Sequence, residues 1–265
     1  MSARILMFDS GIGGISVFRE IKKLLPQVNI DYLFDNAFYP YGQLEETTLV
    51  DRITSLIVDV VTQEAPSLVV VACNTASTAA LPALRRHLNI PVVGVVPAIK
   101  PAASASRSNA IGLLATEGTI NRSYIDSLIE DHAANCHVTK VGSNELVEMA
   151  EMVYRGCTPD TEKLARICCP FSDSVDTVVL GCTHFPLLSE YIIEVTNNNV
   201  MLVDSGKAIA SRVARLLEEI TEKTPEQVID RAFYTKSNLD KPLLSALKAE
   251  GFELIEIWNG NYSAA

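Results

Sequence analysis

Val69-Val70-Val71-Ala72-Cys73-Asn74-Thr75 is an apolar run that ends in a cysteine and two small polar residues. Much later, Val178-Val179-Leu180-Gly181-Cys182-Thr183-His184 repeats the pattern. A short apolar run with no polar alternation suits a strand buried on both faces, as in a parallel sheet. Each cysteine then leaves the sheet at the carboxyl end of its strand. That edge is where open α/β sheets place their ligands.

Working outward, apolar runs at 5–8, 30–34, 68–72, 91–95, 110–114, 138–141, 177–180 and 200–203 read as strands, with Phe233-Tyr234 and 252–257 as strands of the tail. Helical spacing recurs between them: Val17, Ile21, Leu24 and Leu25; Leu49, Ile53, Leu56, Ile57 and Val60; Tyr124, Leu128 and Ile129. Residues 143–154 read as helical, and an amphipathic helix runs from Gly206 to about Lys223. Thr158-Pro159 reads as the cap and first residue of a further helix. Pro82 is expected to break or kink the helix after Cys73. Strands alternating with helices imply βαβ units and mainly parallel sheets, the α/β class.

The two halves echo each other. Cys73 and Cys182 stand 109 residues apart, and Asp9 and Thr116 stand 107 apart. Two similar α/β domains follow from this: 1–97 with 207–265, carrying Asp9 and Cys73, and 98–206, carrying Cys182 and His184. Their strand ends are expected to face one cleft that closes over a ligand and excludes water.

Composition narrows the class. A hydrophobic content of 48% with 20% charged residues reads as a soluble globular protein. A net charge of −10 argues against broad binding to nucleic acid or an anionic membrane. A small anionic ligand remains compatible, because backbone amides can hold an anion within an acidic protein. Met1-Ser2-Ala3-Arg4 runs directly into a strand, so no signal peptide is expected. No apolar run approaches the ~20 residues of a membrane span. Six cysteines without a compact framework suggest a reducing cytoplasm.

Cys136, Cys157, Cys168 and Cys169 read as packing residues, with no companion CxxC or histidine cluster to make a metal site. Cys73 and Cys182 differ by position. Exposed amides at the start of a following helix would favour a thiolate. A redox pair prefers neighbours such as CxxC, and a covalent nucleophile would use only one thiol. Two-base proton transfer uses both: one thiolate removes a proton from carbon and the other thiol returns one to the opposite face. A free thiol has a pKa of about 8.5, so each needs a partner. Asp9 and His184 are the candidates. Ser10, Asn74, Thr75, Thr116 and Thr183 add small polar groups suited to a carboxylate-bearing molecule. Gly11-Ile12-Gly13-Gly14-Ile15-Ser16 approximates a dinucleotide fingerprint, but Ser16 stands in place of its third glycine and Asp9 would repel the pyrophosphate. The glycines read instead as a tight strand-to-helix turn.

Asp9-Ser10-Gly11-Ile12-Gly13-Gly14, Tyr39-Pro40-Tyr41-Gly42, Ala72-Cys73-Asn74-Thr75-Ala76-Ser77 and Gly181-Cys182-Thr183-His184-Phe185-Pro186-Leu187-Leu188 closely resemble the bacterial glutamate racemases. The likeness runs from residue 4 to about residue 215 and weakens in the tail. It implies cofactor-independent interconversion of L- and D-glutamate, with no metal, supplying D-glutamate for peptidoglycan. By resemblance, Cys73 acts on D-glutamate assisted by Asp9, and Cys182 acts on L-glutamate assisted by His184. Asp9, Ser10, Tyr41, Gly42, Asn74, Thr75, Thr116, Thr183 and His184 match positions that hold the substrate. Glu151 matches an acidic position near the site, although Val147-Glu148-Met149-Ala150 diverges around it. A cell-wall precursor as activator and a homodimer are both compatible with the family. The alternatives are an aspartate racemase of the same superfamily and a catalytically silent binding or regulatory homologue.

Overall fold

A computed structural model describes residues 3–171, 174–197, 199–220, 227–237 and 239–260. Ten strands follow the chain: Arg4–Asp9 (β1), Asn29–Phe34 (β2), Leu68–Val71 (β3), Val92–Gly94 (β4), Ala110–Ala115 (β5), His137–Gly142 (β6), Thr177–Leu180 (β7), Met201–Val203 (β8), Asp230–Tyr234 (β9) and Phe252–Ile257 (β10). They form two sheets, β10-β9-β2-β1-β3-β4 and β6-β5-β7-β8. Every pairing within them is parallel. The chain divides into two compact units, Met1–Val95 with Gly206–Ala265, and Val96–Ser205. The fold is α/β, with one sheet in each unit.

The order β2-β1-β3-β4 in the first unit is the order β6-β5-β7-β8 in the second. Register sharpens the repeat. Ala72 donates its amide to Phe8 O at 2.7 Å, and Gly181 donates to Leu114 O at 2.7 Å. Each cysteine therefore follows the residue that closes the ladder between the first and third strands of its set. This register aligns Phe8 with Leu114, so Thr116 corresponds to Ser10 rather than to Asp9.

In the first unit, Leu6, Phe8, Val69 and Val71 pack with Leu49, Ile53, Leu56, Ile57 and Val60 of the Glu46–Glu64 helix. Alternate residues of buried strands thus meet one stripe of a helix, which fixes β1 and β3 relative to each other. The tail returns to this unit as β9 and β10. Arg231 of β9 holds Asp31 of β2 at 2.7 and 2.6 Å, and Arg4 of β1 holds the same carboxylate at 2.5 Å. In the second unit Ile111, Leu113 and Val179 pack with Ala98, Ile99, Ala102 and Ile125.

Several local expectations are corrected. Pro82 lies inside one continuous helix, Asn74–His87. It forfeits a single hydrogen bond, while Ala76, Ala80, Ala83 and Leu84 on the buried face hold the helix in place. The helix Thr161–Cys168 is capped by Asp160, whose carboxylate accepts from Lys163 N at 2.9 Å, so Thr158 and Pro159 lie before the cap. Leu24 and Tyr124 are exposed. The helix after Ser205 spans Gly206–Glu219, and its expected end near Lys223 lies outside the described residues. Gly11, Gly13 and Gly14 are not among the positive-φ residues, so left-handed backbone is not their purpose. A Cβ on Gly14 would meet the Tyr32 ring at 2.9 Å, and Tyr32 donates to Gly11 O at 2.7 Å. The loop makes the expected tight turn, with Ile15 N donating to Ile12 O at 3.1 Å and Ser16 N to Gly13 O at 3.0 Å, and Gly14 leaves room for the tyrosine. No helix among the described residues is long and apolar enough to cross a membrane.

Gly112 of β5 faces Phe171, and an added Cβ would lie 2.6 Å from that buried ring. Gly112→Ala should therefore cost about 1–3 kcal/mol of stability through overpacking. Thermal unfolding checks this, and an unchanged midpoint would contradict the packing described.

Candidate active site

In the first unit the site gathers at the carboxyl ends of β1 and β3. Asp9 closes β1 and is fully buried. Its Oδ1 accepts from Ser10 N at 2.6 Å and from Ser10 Oγ at 3.3 Å, while Oδ2 accepts from Gly14 N. Ser10 Oγ in turn lies 3.8 Å from Cys73 Sγ. Cys73 is the extended N-cap of the Asn74–His87 helix, so it stands at the positive end of the helix dipole. A Cys73–Ser10–Asp9 relay results. Asn74 and Thr75 are buried next to it, and Asn74 Nδ2 finds no hydrogen-bond acceptor among the described residues. A buried donor left in that state costs about 1–3 kcal/mol unless a ligand satisfies it.

In the second unit Cys182 follows β7 and is 7% exposed. It does not begin an α-helix, contrary to the sequence-based expectation. Pro186 has no N–H to donate to the Cys182 carbonyl, and Phe185 N takes that carbonyl instead at 3.1 Å. A 3-10 turn, Phe185–Leu188, follows, with His184 as its N-cap, and then the helix Ser189–Val195. That tighter path folds His184 back toward the thiol. His184 Nδ1 lies 3.8 Å from Cys182 Sγ, and Nε2 lies 3.0 Å from Glu151 Oε1. Burial opposes charge on the imidazole, but hydrogen bonds to Cys182 and Glu151, with their negative charge, outweigh it and raise its pKa well above the usual value. The ring is held ready to be an imidazolium. A Cys182–His184–Glu151 relay results. Thr183 is buried beside it. Thr116 caps the short helix Glu117–Ile120, accepting from Thr119 N at 3.2 Å and donating to Thr119 Oγ1 at 2.9 Å.

The structure thus brings Asp9 and Ser10 to Cys73, and His184 and Glu151 to Cys182. The remaining cysteines separate by environment. Cys168 is buried, and burial pushes its thiol up to about 11. Cys157 and Cys169 are exposed, so packing does not account for them. None of the six cysteines is in a disulfide.

Residues 9–213 match the Asp/Glu/hydantoin racemase family. A glutamate racemase of a Shewanella species is 51% identical over 263 residues, covering 97% of each chain. A Vibrio vulnificus glutamate racemase is 50% identical over 258 residues, covering 96% of each. Among solved structures, Escherichia coli glutamate racemase in complex with L-glutamate and the activator UDP-MurNAc-Ala superimposes with a TM-score of 0.92. It is 44% identical, covering 98% of this chain and 99% of that one.

Tyr41 and Gly42 belong to a loop anchored by residues the sequence reading passed over. Asp35, just beyond β2, is fully buried and paired with Arg52 at 2.9 and 2.8 Å. Tyr41 donates its hydroxyl to Asp35 Oδ2 at 2.6 Å, and Thr235 donates to Oδ1 at 2.5 Å. The Arg52 guanidinium also lies 4.4 Å from the centre of the Phe38 ring. Burial, followed by the Asp35 charge, pushes the Tyr41 phenol well above its ordinary pKa, so it stays a donor. A signal was present: Arg52 shares the helix face of Leu49, Ile53 and Leu56, an odd place for a cation without a partner. Arg52→Met would leave Asp35 buried without its cation and should cost about 3–5 kcal/mol. Denaturant unfolding measures it. A loss within ~0.5 kcal/mol would show that the pair does not hold the loop.

Proposed function

We propose a two-thiol mechanism for this chain, which belongs to the Asp/Glu/hydantoin racemase family and interconverts L- and D-glutamate. The observation that carries the reading is the repeated strand end, where each cysteine closes a buried parallel strand and sits 3.8 Å from a polar group backed by a carboxylate. Cys73 as thiolate takes the Cα proton of D-glutamate and becomes a thiol. Cys182 as thiol gives its proton to the opposite face of the carbanion and becomes a thiolate, leaving L-glutamate. The reverse reaction exchanges the roles. Ser10 with Asp9, and His184 with Glu151, restore the protonation state of each sulfur between turnovers. The chemistry draws on side chains alone, without an added cofactor.

Asn74 Nδ2, with its unanswered hydrogens, is the donor best suited to a substrate carboxylate, joined by the hydroxyls of Thr75 and Thr183, while the Thr116 hydroxyl is given to Thr119. The Tyr41 hydroxyl is committed to Asp35, so the Tyr41-Gly42 loop serves the substrate through its backbone. The Escherichia coli relative was solved with an activator, UDP-MurNAc-Ala. We infer that this chain takes a peptidoglycan precursor of the same class. D-Glutamate for that polymer is made where its precursors are assembled, in the cytoplasm.

Polarimetry of D- or L-glutamate without pyridoxal phosphate tests the function, and optical rotation should decay to zero from either side. Cys73→Ser and Cys182→Ser should each lower the rate at least about a hundredfold. Decay with aspartate but not glutamate would move the substrate. An active Cys182→Ser variant would sink the two-thiol scheme.

A further inference from the structure

We propose that Arg155 is a positioning residue for proton transfer at Cys182, an inference that rests on the two-thiol reading. Arg155 follows the helix Glu145–Tyr154 as its C-cap residue. Its Nη1 reaches back one turn, lying 2.6 Å from Glu151 Oε2 and 2.7 Å from the Glu151 carbonyl oxygen. Glu151 is thereby gripped at both its side chain and its backbone by one nitrogen. The other carboxylate oxygen, Oε1, is left for His184 Nε2 at 3.0 Å. The chain of contacts runs from a side chain 20% exposed, through Glu151 at 11%, to the imidazole at 3%. A guanidinium at the solvent edge sets the direction of a carboxylate that sets the orientation of a buried base.

This geometry gives Arg155 a task that neither Glu151 nor His184 performs for itself. A glutamate has three rotatable side-chain bonds and, at the end of a helix, can turn toward water. The Arg155 clasp removes that freedom and presents one oxygen to the ring. With Nε2 so engaged, Nδ1 faces Cys182 and can take or return the thiol proton. The hydrogen bonds of Arg155 fall on Glu151, and its influence passes through that residue. In the Cys73 relay the backbone amides of Ser10 and Gly14 fix Asp9.

The effect should fall on one half of the reaction. The enantiomers have equal free energy, so kcat/KM must remain equal in the two directions and the overall rate cannot show which half suffers. Isotope effects can. Wild type, Arg155→Met and Arg155→Lys are compared with glutamate deuterated at Cα, starting from each enantiomer. Arg155→Met should lower kcat about tenfold, since only part of an acid–base contribution depends on orientation. The deuterium effect on kcat/KM should rise from L-glutamate, where Cys182 removes the proton, and shrink from D-glutamate. Arg155→Lys, which keeps the cation, should recover to within about threefold of wild type. A merely structural role would lower activity with no change in either isotope effect, and that result overturns the proposal. So does an Arg155→Met enzyme at the wild-type rate. Should Arg155→Met fail to fold, unaltered isotope effects in an impaired Arg155→Lys variant would overturn it equally. If serine at either cysteine abolishes racemisation while Arg155→Met changes nothing, the Arg155 inference alone fails. If Cys182→Ser remains active, the two-thiol reading fails and takes the inference with it.

Discussion

The proposed two-thiol chemistry depends on two backbone hydrogen bonds, Ala72 N to Phe8 O and Gly181 N to Leu114 O. Each is the last rung between two buried parallel strands, and each is followed at once by a cysteine. Parallel strands covered on both faces offer no slack, because shifting the register by one residue would turn every buried side chain to the other face. The sulfur that follows is therefore located by the packing of Val69, Val71, Val178 and Val179, all fully buried. A proton-transfer base needs that constancy, since its reach to carbon is a matter of tenths of an ångström.

The same strand end is furnished differently in the two units. Cys73 meets a serine and an aspartate from the neighbouring strand end, held by backbone amides. Cys182 meets a histidine two residues on and a glutamate from a separate helix. The second arrangement is the more conditional, because its carboxylate reaches the ring from a flexible side chain. Pro186 contributes by denying the chain an α-helical bond at Cys182, which turns His184 back to the thiol. A repeated scaffold thus sets two unlike groups of polar side chains beside two like sulfurs.

The sheets and both cysteine strands were legible because buried parallel strands leave continuous apolar runs, and alternation with helices leaves one topology to expect. Asp9, Ser10 and His184 were legible because they adjoin strand ends or a cysteine. Arg52 and Asp35 were not, since a buried ion pair joins residues whose pairing only the fold reveals, although Arg52 on an apolar helix face was a hint. Arg155 left no hint at all, because a solvent-edge arginine at a helix end resembles ordinary capping. The glycine loop does make the tight strand-to-helix turn read from the sequence, but the approach of Tyr32 to Gly14, a long-range contact, left no mark in it. Thr158-Pro159 looked like a cap, but Asp160 offers the stronger acceptor two residues later.

The central claim is that two separate thiols act on the substrate carbon, one as base and the other as acid. Its most direct test is the position of deuterium at early times when D-glutamate reacts in deuterated water. Two bases predict L-glutamate carrying deuterium at Cα while the unreacted D-glutamate keeps its proton, with the mirror result from L-glutamate. L-glutamate that retains the original proton, returned to the opposite face by the group that removed it, would contradict the account.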